Sequence, residues 1–598
     1  MRCASTLLGL CLNPPPADAG TPIFGFAEFI AALALLVLVF NSSDYLYKYR
    51  ISIAPLPLFK ITFIGTIVIG FGALLTDLWF ADRWLAPALG FSRADIHALL
   101  GSLFLVVTLL WIWFAFVRPP VFGRSNFRHF FISTYRSIVR GSDAELSVLS
   151  AELAYSAKNL IQIYGATGQT RRRRTEENVS KATAEAYAHD GLMMLGNRKL
   201  CRHIVASAPI TAIVFMQEAV RQEIYDVPLG EFARNITTEA LLNTDSILYL
   251  EDDLDAFDLV GRQQPFSTAM YGNYLLVEGL SRGRYSPFEI DYRVAQSLDG
   301  DQFEAYCRIV LITFKDYVAS GRYRGPSTPL DRAFETIQHA GSGCGRLDSS
   351  APEDGYDVAV ARLRAAMGFV KDAVTFLAKR EDFALGTLRK PKGIAAFREE
   401  TLLDRLAEMT FEIIHTAAYF QAPADRVWWV HHNTIWTALR GDGAAWRAFR
   451  FKLSRRLFDE IKDMDEWPNF KGARLLGFCL NVMGICVGKK SDFGREFYAL
   501  HKSLIGWTKR NFLTIHRINP EIAAYCMSGY VSFDEDNRRL VKTYIKGTQV
   551  EAPRDYLALD EPPAEKAAAA GHRARPNNCT ALAAKPRKPA RPRQPRKS

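Results

Sequence analysis

Residues 59–80 read FKITFIGTIVIGFGALLTDLWF, and residues 97–117 read HALLGSLFLVVTLLWIWFAFV. Each is long enough to cross about 30 Å of hydrocarbon as a helix. A third stretch of the same character, PIFGFAEFIAALALLVLVFN, occupies residues 22–41. A soluble core helix of this size shows a polar face at every turn. These three carry only Glu28, Lys60 and Asp77 as charges. The sequence therefore predicts a three-span transmembrane helical anchor over residues 22–118, preceded by an N-terminal segment, 1–21.

Orientation follows from Lys and Arg beside the spans. The first loop holds Lys48 and Arg50, and the segment after the third span holds Arg118, Arg124, Arg128, Arg136 and Arg140. The second loop balances Arg83 and Arg93 against Asp77, Asp82 and Asp95. The expectation is a multi-pass protein of the cell membrane, with its N-terminus outside and its large domain and C-terminus in the cytoplasm. Ala17-Asp18-Ala19 is a candidate signal cleavage site, but the apolar stretch before it is short.

The formal charge of +11 suggests a nucleic-acid binder until it is located. Nine basic residues and no acids lie beyond Gly571, so eleven less nine leaves the rest of the chain near +2. No specific nucleic acid is expected from so neutral a body. The basic end is interleaved with proline and buries too little apolar surface to offset chain entropy, so residues 551–598 read as a disordered basic tail.

Between anchor and tail the pattern is all-α. Ser142 and Glu145 have capping-box spacing. Phe303, Tyr306, Cys307, Val310, Phe314 and Tyr317 fall on one helical face, as do Leu402, Leu406, Met409, Ile413 and Ala417. The Gly/Ser-rich stretch at 340–355 reads as a linker between helical cytoplasmic domains at 142–339 and 356–550.

Residues 119–141 form a juxtamembrane amphipathic segment. Phe127, Phe131, Tyr135 and Ile138 recur at helical steps, among Arg124, Arg128, Arg136 and Arg140. Position and charge point to a helix in the headgroup layer, binding membrane lipids or an acidic partner. The tail residues Arg587, Lys588, Arg591, Arg593, Arg596 and Lys597 have the same electrostatic reading.

No stretch fixes a reaction, a metal or a cofactor. GICVGKKS at 484–491 has one residue too few between its glycines, and Lys490 stands where a P-loop needs Ser or Thr. Glu412 and His415 have carboxylate-histidine spacing without the second copy that a di-iron bundle requires. His431 and His432 are adjacent, and neighbours point apart. Glu251, Asp252, Asp253, Asp255 and Asp258 lack an EF-hand order. The nine cysteines contain no C-x-x-C, and Arg171–Arg174 reads as a solvated loop.

The expected function is a membrane-tethered interaction or regulatory module with protein partners. Thr62, Thr66 and Gly70 offer a small-residue face that packs either within the three-span bundle or between the subunits of a homo-oligomer. The alternatives are an oligomeric channel or transporter, with Glu28 its most suggestive intramembrane group, and a membrane-bound enzyme with an unrecognised active site. Cytoplasmic reporters fused after Arg140 or within residues 45–57 should be active, and one fused at Ala88 silent. The reverse pattern would overturn the orientation.

Overall fold

The computed structural model describes residues 5–7, 10–13, 25–42, 44–82, 84, 86–87, 92–171, 183–256, 264–322, 326–341, 353–380, 401–420, 423–488, 490–544 and 551–561. Most of these are helical. They form two compact units. One holds Met1–Thr416 and Thr437–Phe449, the other Ala417–Trp436 and Arg450–Ser598.

The first unit opens with α1 (Phe26–Ser42), the short α2 (Tyr45–Ser52), α3 (Leu58–Ala81) and α4 (Arg93–Ile112). Leu58–Ala81 has a mean hydropathy of 2.1, and Arg93–Val117, α4 with a following π-helical turn, has 2.4. Both are long and apolar enough to cross a membrane. Phe59, Phe63, Phe71, Leu99 and Leu105 stand outward from them, as lipid-facing residues would. α4 begins four residues before the expected span, because Ser92 and Asp95 close a capping box ahead of it.

α1 has 17 residues, about 25 Å at 1.5 Å per residue, short of the roughly 30 Å core. It packs against α3, where the small-residue face has a use within the chain. A Cβ added at Gly70 would meet the Phe29 ring at 2.5 Å. A third apolar candidate, Arg198–Ser207 followed by Ile210–Arg221, is bent by 105° at the break. Its Ala212, Phe215 and Met216 lie wholly inside the body.

A small sheet and a short helix flank the two long apolar helices. Residues Leu10–Asn13 (β2) pair with Ser5–Leu7 (β1) and, across the α3–α4 connection, with Ala86–Pro87 (β3). At the other end α2 packs on the body.

The body follows as α5 (Phe127–Arg140), α6 (Asp143–Arg171), α7 (Ala184–Met194), α8 (Arg198–Ser207), α9 (Ile210–Arg221), α10 (Gly230–Leu242), α11 (Ile247–Ala256), α12 (Pro265–Tyr271) and α13 (Tyr274–Gly283). Next come α14 (Tyr292–Ser297), α15 (Gly300–Ala319), α16 (Thr328–Gln338), α17 (Glu353–Ala378) and α18 (Leu402–Ala417). Ser142 and Glu145 do cap α6 reciprocally. The apolar stripes of α15 and α18 are buried. α15 packs along α17, across the expected linker at 340–355, so the division between units falls at Ala417 and not there. A glycine-rich stretch signals a loop; it does not say whether the flanking helices share a core.

The second unit contains α19 (Ala424–Trp428), a π-helical stretch Trp429–Ile435, most of α20 (Ala444–Lys462), α21 (Phe470–Met483), α22 (Lys490–Ile518) and α23 (Pro520–Tyr525). It ends in an antiparallel sheet of β4 (Val531–Asp534), β5 (Arg539–Thr543) and β6 (Arg554–Ala558), with Val531 opposite Lys542 and Val541 opposite Tyr556. The chain is therefore mostly, not wholly, helical. The expected disorder from 551 is corrected too, since β6 is paired and the description ends at 561. The alternation in β5 is hidden because its inward residues are Leu540 and Lys542. A buried lysine makes a strand read as a polar loop.

His431, on the π-helical stretch, is fully buried. Its Nε2 lies 3.1 Å from the Ala417 carbonyl, and its Nδ1 3.2 Å from Asn481 Nδ2. Burial lowers its pKa to about 4 from 6.5. The unfolded chain takes up the proton first, so this group's contribution to stability is lost as pH falls from 6.5 towards 4. The loss is about 3 kcal/mol at one to two kcal/mol per pKa unit. Amide exchange in α21 should accelerate over that range in the full chain, and His431→Gln should flatten the dependence. An unchanged pH profile in the variant would count against this role.

Candidate functional site

The basic residues predicted after the spans fall on a two-faced helix. Phe130, Thr134 and Ile138 of α5 are buried against the body. On the other face Arg128, Ile132, Tyr135, Arg136, Val139 and Arg140 are exposed. Ile132, Tyr135 and Val139 are 52%, 54% and 59% exposed, a mixed apolar and basic surface without a protein neighbour among the described residues. The expected apolar stripe is thus split. Ile138 turns inward, Phe127 and Phe131 pack on Tyr187, and Tyr135 faces out. Arg124 lies ahead of the helix, 3.6 Å from Glu185.

A polar collar fixes α5 in place. Arg50 of α2 donates to Glu152 of α6 through Nε (2.9 Å) and Nη2 (2.6 Å), and through Nη1 to the Ala115 carbonyl (3.2 Å). A helix C-terminus leaves carbonyls unpaired and favours a cation, and Arg50 satisfies both needs at the end of the span. The Arg50 and Glu152 side chains are only 13% and 9% exposed. Tyr49 hydrogen-bonds Thr134 at 2.8 Å and Tyr45 donates to Ser137, both on α5. Burial raises both tyrosine pKa values, so both stay protonated. Asn126 donates to the carbonyls of Ile53 (2.7 Å) and Val121 (3.0 Å), tying the loop before α3 to the loop before α5. Ile51, Ala54, Leu58, Trp111 and Ala115 form the apolar core beneath.

The other candidates resolve structurally. Glu251 is buried and accepts from the amides of Phe266 (2.6 Å) and Ser267 (3.0 Å), capping α12. Asp252 pairs with Arg308. Asp253, Asp255 and Asp258 have no described side chains. Glu412 and His415 lie 3.6 Å apart as a helical pair. Among the described residues no three His, Cys, Asp or Glu side chains converge on one point. His431 points inward while His432 stacks on Trp428 at 4.5 Å. Glu28 accepts from the Gly25 amide at 2.9 Å, which makes it a cap of α1. The Arg171–Arg174 side chains and all the tail residues named above lie outside the described residues.

Two polar clusters were not legible in the sequence. At the far end of the α3–α4 pair, Asp77 Oδ1 accepts from Arg93 Nη2 (2.6 Å) and lies 3.0 Å from His97 Nε2. His97 is fully buried, and its Nδ1 has no hydrogen-bond partner. In the second unit Lys542 is buried and donates to the Asn481 carbonyl at 2.6 Å, with Trp428 and Tyr544 rings about it at 5.2 and 5.1 Å. Burial lowers its pKa to about 8, opposed by Asp555. With His501, which bonds the Gly484 carbonyl at 3.0 Å, it closes the C-terminus of α21. Gly484, at φ +88, ends that helix, so the phosphate-loop look-alike is a helix stop.

No protein-family model, curated protein or solved structure matches the chain. The functional reading rests on the geometry.

Proposed function

We propose that this chain is a membrane-anchored interaction or regulatory protein whose helical body is held against the cytoplasmic leaflet of the cell membrane and docks protein partners there. The observation that carries this reading is the exposed face of α5. Ile132, Tyr135 and Val139 stand outward among Arg128, Arg136 and Arg140, directly after the apolar helix ending at Val117. Such a face gains by placing apolar side chains at the acyl boundary and cations among anionic headgroups. The pairing of residues 10–13 with 86–87 and the packing of α2 on the body support a third crossing by α1. They group the N-terminal segment with the second loop, and the first loop with the body. The basic tail adds a second, salt-sensitive attraction to the same leaflet.

An oligomeric channel or transporter is the second reading, favoured by the Asp77, Arg93 and His97 cluster within the apolar pair.

The test places a spin label at Val139→Cys in the full chain, reconstituted in nanodiscs. With anionic lipid the label should be reached by oxygen more readily than by a water-soluble nickel chelate. Reversing Arg128, Arg136 and Arg140 to Glu should remove about 1 kcal/mol of attraction per residue and return the label to water. Equal access to the nickel chelate with and without anionic lipid, in the unmodified chain, would refute the reading.

A further inference from the structure

A polar cleft of about 350 Å³ opens in the body, lined by Gly196, Asn197, Arg198, Glu231, Arg234 and Asp291 among others. Glu231, Arg234, Asn235 and Thr238 come from one face of α10. The α7–α8 turn forms one wall, and the start of α14 contributes Asp291. The walls are pinned. Asn235 Nδ2 donates to the Gly196 carbonyl at 2.6 Å, and Thr238 donates to the Arg234 carbonyl at 2.8 Å. Gly196 permits the close approach, since a Cβ there would lie 3.0 Å from Glu231 Cγ.

The charges in this cleft are incompletely used. Arg234 stacks on Tyr285, with 4.6 Å from its guanidinium carbon to the ring centroid, and Arg284 lies 5.3 Å from the same ring. Arg234 Nε is buried without a hydrogen-bond partner. Buried polar groups are almost always paired, and a guanidinium fixed by stacking presents a ready fork to an oxyanion. Arg198 uses Nε on Glu239 at 2.6 Å and borders the same cleft. Glu231 makes no hydrogen bond or ion pair among the described residues. Asp291 is the N-cap of α14. Two arginines and two carboxylates thus line one small volume without pairing with each other at ion-pair distance.

We propose that this cleft binds a small phosphate ester that also carries a primary ammonium group, with the phosphate on Arg234 and Arg198 and the ammonium on Glu231 and Asp291. A carboxylate presents its two oxygens in one plane, whereas a phosphate presents its oxygens tetrahedrally, so two guanidinium groups on different walls can each bond one. The ammonium supplies the donor that Glu231 lacks and a second one to Asp291, whose Oδ1 already accepts from the Arg293 amide at 2.9 Å. The cleft lies close to α5, because Lys199, next to Arg198, donates to the Gly141 carbonyl at 3.3 Å. Its ligand comes from a lipid headgroup or from a soluble ester, and the site does not depend on the membrane reading above.

The test titrates the full chain in non-ionic detergent with O-phosphoethanolamine, inorganic phosphate and ethanolamine, followed by calorimetry. O-phosphoethanolamine should bind about tenfold or more tighter than either fragment, as one added charge-assisted contact implies. Arg234→Gln should weaken O-phosphoethanolamine and phosphate alike. Glu231→Gln, a conservative change on a partly exposed side chain, should cut the advantage of O-phosphoethanolamine over phosphate severalfold without weakening phosphate binding. No binding of O-phosphoethanolamine, or equal binding by phosphate, would overturn the site. So would a Glu231→Gln variant that keeps the full preference. In nanodiscs, weaker O-phosphoethanolamine binding with phosphatidylethanolamine than with phosphatidylcholine identifies the lipid headgroup as occupant. Equal binding in both identifies a soluble ester.

Discussion

Among the described residues one bidentate ion pair, Arg50 to Glu152, joins the long apolar helices to the body. Its two side chains are almost out of water, where an unpaired charge is costly and a paired, hydrogen-bonded one is tolerated. The third donation of Arg50, to Ala115, matters as much. It places one cation at the end of the α4 span, on a carbonyl that the helix leaves open, while the same guanidinium holds α6. Tyr45, Tyr49 and Asn126 add neutral bonds around it. The short helix α2 thereby becomes a wedge between span and body. α5, which is pinned by that wedge, has one face committed to the body and one left over.

That remaining face gives the anchor a second use. On the proposed reading the apolar helices hold the body near a membrane, so the exposed arginines of α5 would act at high effective concentration. Weak single attractions then suffice to orient a large domain. The polar cleft beside α8 is of another kind. It has one stacked guanidinium, Arg234, with Arg198 and two carboxylates in a small volume, which favours recognition of one compact ligand over adsorption to a surface.

The sequence was legible where the physics is local. The two apolar runs at 59–80 and 97–117, the capping box at Ser142 and the buried stripes of α15 and α18 depend on neighbours three or four residues away, and these appeared as expected. Long-range pairing was not legible. Arg50 meets Glu152 across 102 positions, and nothing near Arg50 distinguishes it from the other basic loop residues. Tyr49 and Thr134 are 85 positions apart. The C-terminal sheet was hidden by Lys542, an inward lysine whose partner is a helix-end carbonyl. The cleft draws on three separate segments around 196, 231 and 291, each of ordinary composition. On α5 the basic positions Arg128, Arg136 and Arg140 were readable but the direction of its aromatic side chains was not, because that direction is set by Tyr187 and by α2.

The central claim is that the Arg50–Glu152 pair couples the span to the body, and a double-mutant cycle measures it most directly. Arg50→Ala, Glu152→Ala and the double variant would be reconstituted in nanodiscs, with amide exchange of α2 as the readout. Removing one member of a nearly buried pair should cost about 3 kcal/mol of α2 protection. The double variant should cost little more than either single one, giving a coupling energy well above 1 kcal/mol. Small, additive losses from the two single variants would contradict the account.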